Sequence, residues 1–505
     1  MNILRTKSIE QAIADADEPG RKLKRSLSAW DLMIMGVAVA VGAGIFSVGA
    51  RAAASFAGPA VTLSFIIAAV TCALAIMCYA EFATAIPVAG SAYLFTYATL
   101  GEVVAWLVGW NLILEMFTAG AVIAKYWGIY LNKVFELIGL KLPDAINIAG
   151  VDVYWGAFLI VAIFTVLLVL GTKLSARVGN VFTVVKICVV LFVIVAGFAY
   201  LNVKNYTPFV PESVPTSVDS GQGVMTQSLF AFMTGAAPAQ YGILGVFAGA
   251  ALVFFAFIGF DVVATSAEEV KNPQKTLPRG IFGGLALTTV LYVLVSLALT
   301  GMVSYTDLAK SKSPTLTTAF ELVGNTDAAK IIAFGSLIGL TTVIMVLLMG
   351  LARVVLAMSR DGLLPRSLSR TSDKRSTPAR TQIICGVAVA LVAGLTQVEV
   401  LEEMINIGTL CAFVLVSVGV LFLRKRRPDL KPSFRIPFGP VIPVLSAVLC
   451  VYLMLNLAVQ TWIFFVGWVV VGFLIYFAYG QRHSRLNPSS PDHREDLVPE
   501  EVSAE

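Results

Sequence analysis

Apolar stretches of bilayer-spanning length recur along the whole chain, separated by short polar connections. A helix needs about 20 apolar residues to cross the hydrocarbon core of a membrane. The pattern therefore predicts an all-α polytopic membrane protein with twelve transmembrane helices. The predicted spans cover residues 31–52, 59–85, 101–124, 153–171, 179–201, 243–266, 280–303, 328–358, 379–397, 402–423, 439–459 and 461–480.

Basic residues are concentrated in alternate connections. Clusters of Lys and Arg follow spans six, eight and ten, whereas the loops after spans nine and eleven carry none. Because cytoplasmic loops are enriched in Lys and Arg, both termini are predicted to be cytoplasmic, in a multi-pass plasma-membrane protein. Residues 1–28 form a basic cytoplasmic arm, 202–242 an extracellular connection, and 481–505 a polar tail predicted to be disordered.

Composition excludes several classes of protein. The chain of 505 residues is 58% hydrophobic and 13% charged, against about 25% charged residues in soluble domains. The net charge of +5 is spread over loops and indicates no nucleic-acid partner. No metal-ligand cluster, nucleophile elbow or phosphate loop is present, so neither an enzyme nor a cofactor or metal is expected. All six cysteines lie in apolar segments, which predicts no disulfide-linked partner subunit.

The first span contains the glycine-rich run IMGVAVAVGAGIFSVGA, residues 34–50. Gly42, Ala43 and Gly44 remove side-chain bulk and weaken the helix at its middle. The N–H groups of an unwound backbone can hold an anion and its carbonyls a cation, as an amino-acid head group requires. A helix-packing face of small residues is the alternative on this stretch alone.

The second half of the chain contains a comparable interruption. Span six reads FFAFIGFD at residues 254–261, where a glycine precedes an acid by two positions. Paired interruptions at corresponding positions of two halves are typical of inverted-repeat transporters. We therefore predict a first repeat over 29–201, a second over 243–425, and two extra helices over 426–480.

Three ionisable residues inside the spans are candidates for function, because charge at membrane depth is costly. Glu115 of span three is predicted either to face the substrate or to bond a neighbouring helix. Lys186 of span five is predicted to be buried and to release a proton, with snorkelling to the interface as the alternative. Asp261 is predicted to be a gate residue or a cap of the second half-helix.

Five motifs together resemble the amino acid–polyamine–organocation (APC) superfamily, most nearly the cationic amino acid transporter family and its bacterial members. They are GAGIF (42–46), PVAGSAYLFTYATLGE (87–102), FFAFIGFD (254–261), AEEVKNPQKTLPRGI (267–281) and SRDGLLP (359–365). The resemblance extends over about residues 25–480. It implies a five-plus-five inverted repeat with broken helices 1 and 6 and two further C-terminal helices.

The resemblance also implies a substrate site and a coupling ion. The substrate carboxylate would meet backbone N–H groups in the first break, and the ammonium would meet carbonyls of both breaks. The implied substrate-binding residues are Ala40, Gly42, Ala43, Gly44, Glu115, Phe255, Ala256 and Ile258. Lys186 matches the lysine that stands in for a sodium ion in this family, so the implied partners are an amino acid, the proton and the lipid bilayer.

The class of amino acid is left open by the sequence. Glu115 favours a cationic side chain, but Asn111 occupies a position where similar bacterial members can carry a second acid. Span eight adds bulky residues such as Leu347 and Leu348, which favour small neutral amino acids. Arg353 follows near the cytoplasmic end of that span and can pair with Glu268 or Glu269. An exchanger and a membrane sensor that binds without transport remain alternatives to net import.

Overall fold

The computed structural model describes residues 5, 27–85, 91–148, 150–170, 176–215, 223–236, 239–260, 263, 270, 273–311, 313–369, 378–428, 432 and 434–487. Over these residues the chain is mainly helical. The α-helices are α1 Ala29–Ala40, α2 Gly49–Ala52, α3 Val61–Ala85, α4 Ser91–Thr99, α5 Glu102–Leu137, α6 Trp155–Val169, α7 Ala176–Ala199, α8 Leu229–Thr234, α9 Gly242–Val253, α10 Pro273–Met302, α11 Tyr305–Ala309, α12 Leu316–Leu322, α13 Thr326–Arg360, α14 Ala379–Leu395, α15 Val398–Arg426, α16 Val441–Leu455, α17 Val459–Ile475 and α18 Gln481–His483.

Shorter turns of π- and 3₁₀-helix interrupt or extend these helices. The π-helical turns are Gly44–Val48, Ala53–Ala57 and Tyr476–Gly480, and the 3₁₀ turns are Gly58–Ala60, Val203–Tyr206, Phe254–Phe257 and Arg366–Leu368. Two of these lie in the predicted breaks of spans one and six.

Seven helical segments within the described residues are long and apolar enough to cross a membrane. They are Gly44–Ala85, Glu102–Glu136, Val181–Ala199, Lys275–Met302, Thr326–Arg360, Val398–Arg426 and Val459–His483. Five shorter apolar helices, α1, α6, α9 with its 3₁₀ turn, α14 and α16, have 10–17 residues each. The protein is therefore a polytopic membrane protein, and the number of spans and their repeat stay predictions.

The helices pack around α5, which contacts α13, α15, α14 and α6. On the other side, α10 packs against α1, α3 and α7. Of the two interrupted segments, the first begins with α1 in this second group, and the second begins with α9, which packs against α3. A small residue allows α10 to approach α1 closely, because a Cβ on Gly280 of α10 would lie 2.5 Å from the Cβ of Leu32 in α1.

Two short β-pairs were not predicted. β1 (Ile146–Ile148) pairs antiparallel with β2 (Val151–Val153), and β3 (Val214–Pro215) pairs with β4 (Ala239–Gln240). Between β1 and β2, Gly150 has φ of +86°, a conformation that glycine adopts without steric cost. Both pairs lie in the connections between apolar helices, so the all-α prediction holds for the spans but not for these loops.

The predicted disordered tail begins too early. Residues 481–487 pack against the protein: the buried Ser484 hydroxyl donates to Glu102 Oε2 at 2.6 Å, and the Arg485 N–H donates to the Asp361 carbonyl at 3.1 Å. These bonds give the segment polar partners that composition alone does not reveal. The remainder of the tail, 488–505, lies outside the described residues.

Candidate functional site

The first interrupted helix stops at Ala40 and resumes at Gly44 as a π-helical turn. The Gly42 carbonyl accepts from the N–H groups of Ile45 and Phe46, both at 3.3 Å. Within the described residues, the backbone N–H groups of Gly42, Ala43 and Gly44 donate no hydrogen bond. Three adjacent N–H groups at the start of a helical segment form a positively polarised site for an anion.

The second interrupted helix changes conformation at the predicted position. α9 ends at Val253, a 3₁₀ turn covers Phe254–Phe257, and Gly259 has φ of +111°. A side chain is disfavoured at that backbone conformation, and a Cβ there would also lie 2.3 Å from Val39 Cγ1. Gly259 thus allows both the turn and the approach to the first helix.

The two breaks touch each other. A Cβ on Gly44 would lie 2.4 Å from the Cα of Ala256, a distance that real Cβ atoms essentially never show. The Tyr292 hydroxyl of α10 lies 2.6 Å from the Ala40 carbonyl and 2.8 Å from the Ala256 carbonyl. A hydroxyl has one proton and can donate to only one of these two carbonyls at a time. Tyr292 therefore joins the two breaks, and the other carbonyl oxygen can still accept a hydrogen bond.

Polar side chains from other helices bond three further carbonyls in or next to the interrupted segments. Lys186 Nζ donates to the Ala38 carbonyl, and the Tyr130 hydroxyl donates to the Phe46 carbonyl at 2.8 Å. Asn406 Nδ2 donates to the Leu252 carbonyl at 3.0 Å. Such partners are what irregular backbone requires at membrane depth.

A cavity of about 90 Å³ lies where the breaks meet. Six of the eight predicted substrate-binding residues line it: Ala40, Gly42, Ala43, Gly44, Phe255 and Ile258. Pockets for drug-sized ligands occupy about 300–1,000 Å³. The cavity is therefore suited to a compact ligand that meets the free N–H groups.

The side walls of this cavity are apolar. Met116 and Ile123 of α5 face Val343 and Leu347 of α13 across it. Leu348 is fully buried elsewhere and is not in the lining. Of the two leucines of span eight, Leu347 is therefore the one that faces the cavity.

The other two predicted substrate-binding residues lie beside the cavity. Ala256 contacts Gly44 and Tyr292 as described. Glu115 is 1% exposed and is not among the lining residues, although Met116 next to it is. Asn111, one turn earlier on α5, donates to Cys411 Sγ of α15 at 3.4 Å. The substrate role of Glu115 stays a prediction.

The candidate coupling and gate residues are placed as follows. Lys186 is 1% exposed, packs its stem against Gly339 of α13 and bonds the Ala38 carbonyl in the last turn of α1, just before the first break. It is therefore buried and does not snorkel. Asp261, Glu268 and Glu269 lie outside the described residues.

A larger cavity of about 560 Å³ lies toward the loop over residues 202–242 and is lined by Arg51, Glu399 and Glu403. It is not the head-group site, because the residues of the two breaks do not line it. Arg51 forms an ion pair with the fully buried Glu402, whose Oε1 accepts from the Tyr126 hydroxyl at 2.5 Å.

This buried cluster and Tyr292 were missed by sequence reasoning. Glu402 and Arg51 lie at the ends of predicted spans ten and one, where charged residues are common. The sequence did contain a signal for Tyr292: it is the one tyrosine in predicted span seven, and its hydroxyl needs a hydrogen-bond partner at membrane depth.

Comparison with known proteins identifies relatives along the whole chain. A family model described as amino acid permease matches residues 27–478. The chain is 39% identical over 491 residues to the methylthioribose transporter of Bacillus subtilis (strain 168), covering 96% of this chain and 99% of the relative. It is 41% identical over 493 residues to the branched-chain amino acid permease BcaP of the same organism, with the same coverage. It is 35% identical over 412 residues to cationic amino acid transporter 1 of Arabidopsis thaliana, covering 80% and 64%.

Proposed function

Because the chain belongs to the amino acid permease family of the APC superfamily, we propose that it imports amino acids across the plasma membrane by proton-coupled secondary transport. It is a transporter rather than an enzyme, as are its relatives. In this proposal the chain crosses the membrane twelve times as a five-plus-five inverted repeat with two added helices. Both termini are cytoplasmic.

The observation that carries the proposal is the row of three free N–H groups beside the small cavity. The α-carboxylate of an amino acid accepts from Gly42, Ala43 and Gly44, where the helix terminus favours negative charge. The α-ammonium meets carbonyls of Ala40 and Ile258. No hydrogen bond to the Ile258 carbonyl occurs within the described residues, so that oxygen is open to a donor.

Proton coupling is supported by the position of Lys186. Its ammonium bonds a carbonyl two residues before Ala40, so its protonation state and the conformation of the first break are linked. Charge in a low-dielectric interior must be paired or titrate. Proton release from Lys186 would leave a neutral amine, which bonds the Ala38 carbonyl more weakly than the ammonium does. The weaker bond would loosen the break and so connect the proton to the substrate.

The test is uptake of labelled amino acids into proteoliposomes that contain the purified protein. A pH gradient, acidic outside, should drive accumulation, and a protonophore should abolish it. A sodium gradient should have no effect. Binding without flux would indicate a sensor, and uptake only into liposomes preloaded with amino acids would indicate an exchanger.

The substrate panel should include methylthioribose, because one relative is named for its transport. This thiosugar has no carboxylate to meet the three N–H groups. We therefore expect alanine and valine to compete for uptake and methylthioribose to compete poorly. Strong competition by methylthioribose together with weak competition by all amino acids would contradict the proposal.

A further inference from the structure

The lining of the central cavity carries charge at one position. Among the described lining residues, Arg353 of α13 has the single ionisable side chain, and none of the others is acidic. Glu115, the acid predicted to attract a cationic substrate, is buried outside that lining. Among the described lining residues the charge is therefore positive rather than negative.

Arg353 shares a helix with the apolar wall. It follows Leu347 by six residues, about 9 Å along the axis of α13, and Gly350 between them also lines the cavity. The Arg353 side chain is exposed, whereas Leu347 is 6% exposed. Arg353 thus lies at the accessible end of the cavity, and Leu347 lies in its buried part.

A guanidinium keeps its charge at every physiological pH. A lysine or arginine side chain that extends beyond the aliphatic walls would bring a second positive charge toward it, and like charges facing each other in a partly desolvated site are repelled strongly. An uncharged aliphatic side chain ends among Met116, Ile123 and Val343 and does not meet this penalty.

We propose that Arg353 is a charge filter that makes the site selective for uncharged aliphatic amino acids and against cationic ones. This inference rests on the proposed function of the cavity as an amino-acid site. Arg353 selects the side chain and leaves the head-group contacts unchanged.

The experiment measures inhibition of labelled alanine uptake by valine, lysine and glutamate in proteoliposomes. In the wild type, valine should inhibit well and lysine poorly. Arg353→Gln should lower the half-inhibitory concentration of lysine at least tenfold and raise that of glutamate. Arg353→Lys, which keeps the charge, should preserve rejection of lysine.

Arg360→Gln provides the matched control, because Arg360 is an exposed arginine of the same helix that does not line the cavity. It should leave all three inhibition constants unchanged. A purely structural effect of Arg353→Gln would shift lysine and glutamate in the same direction, so opposite shifts separate a charge filter from misfolding.

Two outcomes would overturn the filter alone: wild-type inhibition by lysine as strong as by valine, or lysine and glutamate shifts in Arg353→Gln that are parallel or absent. Both leave alanine uptake, and hence the proposed function, intact. A wild-type protein that takes up no amino acid would overturn the proposed function, and the filter with it.

Discussion

Adding one methyl group at Gly44, by the substitution Gly44→Ala, should push the two broken helices apart. The new Cβ would lie 2.4 Å from Ala256 Cα, 2.5 Å from its Cβ and 3.1 Å from its N. Two of these are backbone atoms and cannot rotate away. The helices must separate by about 1 Å to restore a carbon–carbon contact of ~3.5 Å.

The magnitude follows from this overlap. Overpacking of a well-packed site by extra carbon atoms costs about 1–3 kcal/mol. If the whole cost falls on the conformation that binds substrate, affinity for alanine drops about 5- to 150-fold. Gly44→Ala should therefore lower the melting temperature of the purified protein and weaken alanine binding, measured by thermal denaturation and by equilibrium binding of labelled alanine.

Gly120→Ala is the matched control for this substitution. Gly120 lies within helix α5, and its added Cβ would meet Val389 Cγ1 at 3.5 Å, an ordinary contact. Alanine also favours a helix interior by about 0.5–1 kcal/mol over glycine. The control should bind alanine normally and melt no lower than the wild type. Equal behaviour of the two variants would refute the argument that the Gly44 contact holds the site together.

Three further predictions concern neighbouring residues. Tyr292→Phe removes the hydroxyl that joins the two breaks while keeping the ring; loss of its hydrogen bonding should destabilise the protein by about 1–3 kcal/mol, and an unchanged melting temperature would argue against this role. Lys186→Ala should abolish accumulation driven by a pH gradient while alanine binding persists, so undiminished proton-driven uptake would disprove its coupling role. Leu347→Ser should enlarge the cavity and strengthen inhibition of alanine uptake by leucine, whereas Leu348→Ser should lower stability without changing selectivity; the reverse result would mean that the lining is misassigned.

The breaks could be predicted from the sequence because their cause is local. Gly42 and Gly44 lack the side chains that support a helix, and Gly259 permits a positive φ. The structure interrupts both segments at these positions. The reason for Gly44 is only visible in three dimensions, however, because Ala256 comes from the other half of the chain. Sequence reasoning assigned this glycine to the loss of side-chain bulk that weakens the first helix and to the binding of the substrate carboxylate.

Which way a side chain points from its helix was harder to predict than whether it lies inside a membrane span. Helix α5 is apolar on most of its surface, so no polar stripe indicates its orientation, and Glu115 proved to lie outside the lining that Met116 enters. Leu347 and Leu348 are equivalent in sequence, but 100° of helical rotation separates their side chains. Tyr292 bonds carbonyls of two other segments, and no local pattern encodes such a contact.

The central claim is that the α-carboxylate of an amino acid is held by the N–H groups of Gly42, Ala43 and Gly44. The most direct measurement is an experimental structure of the protein with bound alanine. We predict carboxylate oxygens within about 2.7–3.2 Å of at least two of these nitrogens, with the methyl group directed toward Leu347. A carboxylate bound instead to Arg353, or alanine bound in the larger cavity beside Arg51, would contradict the account.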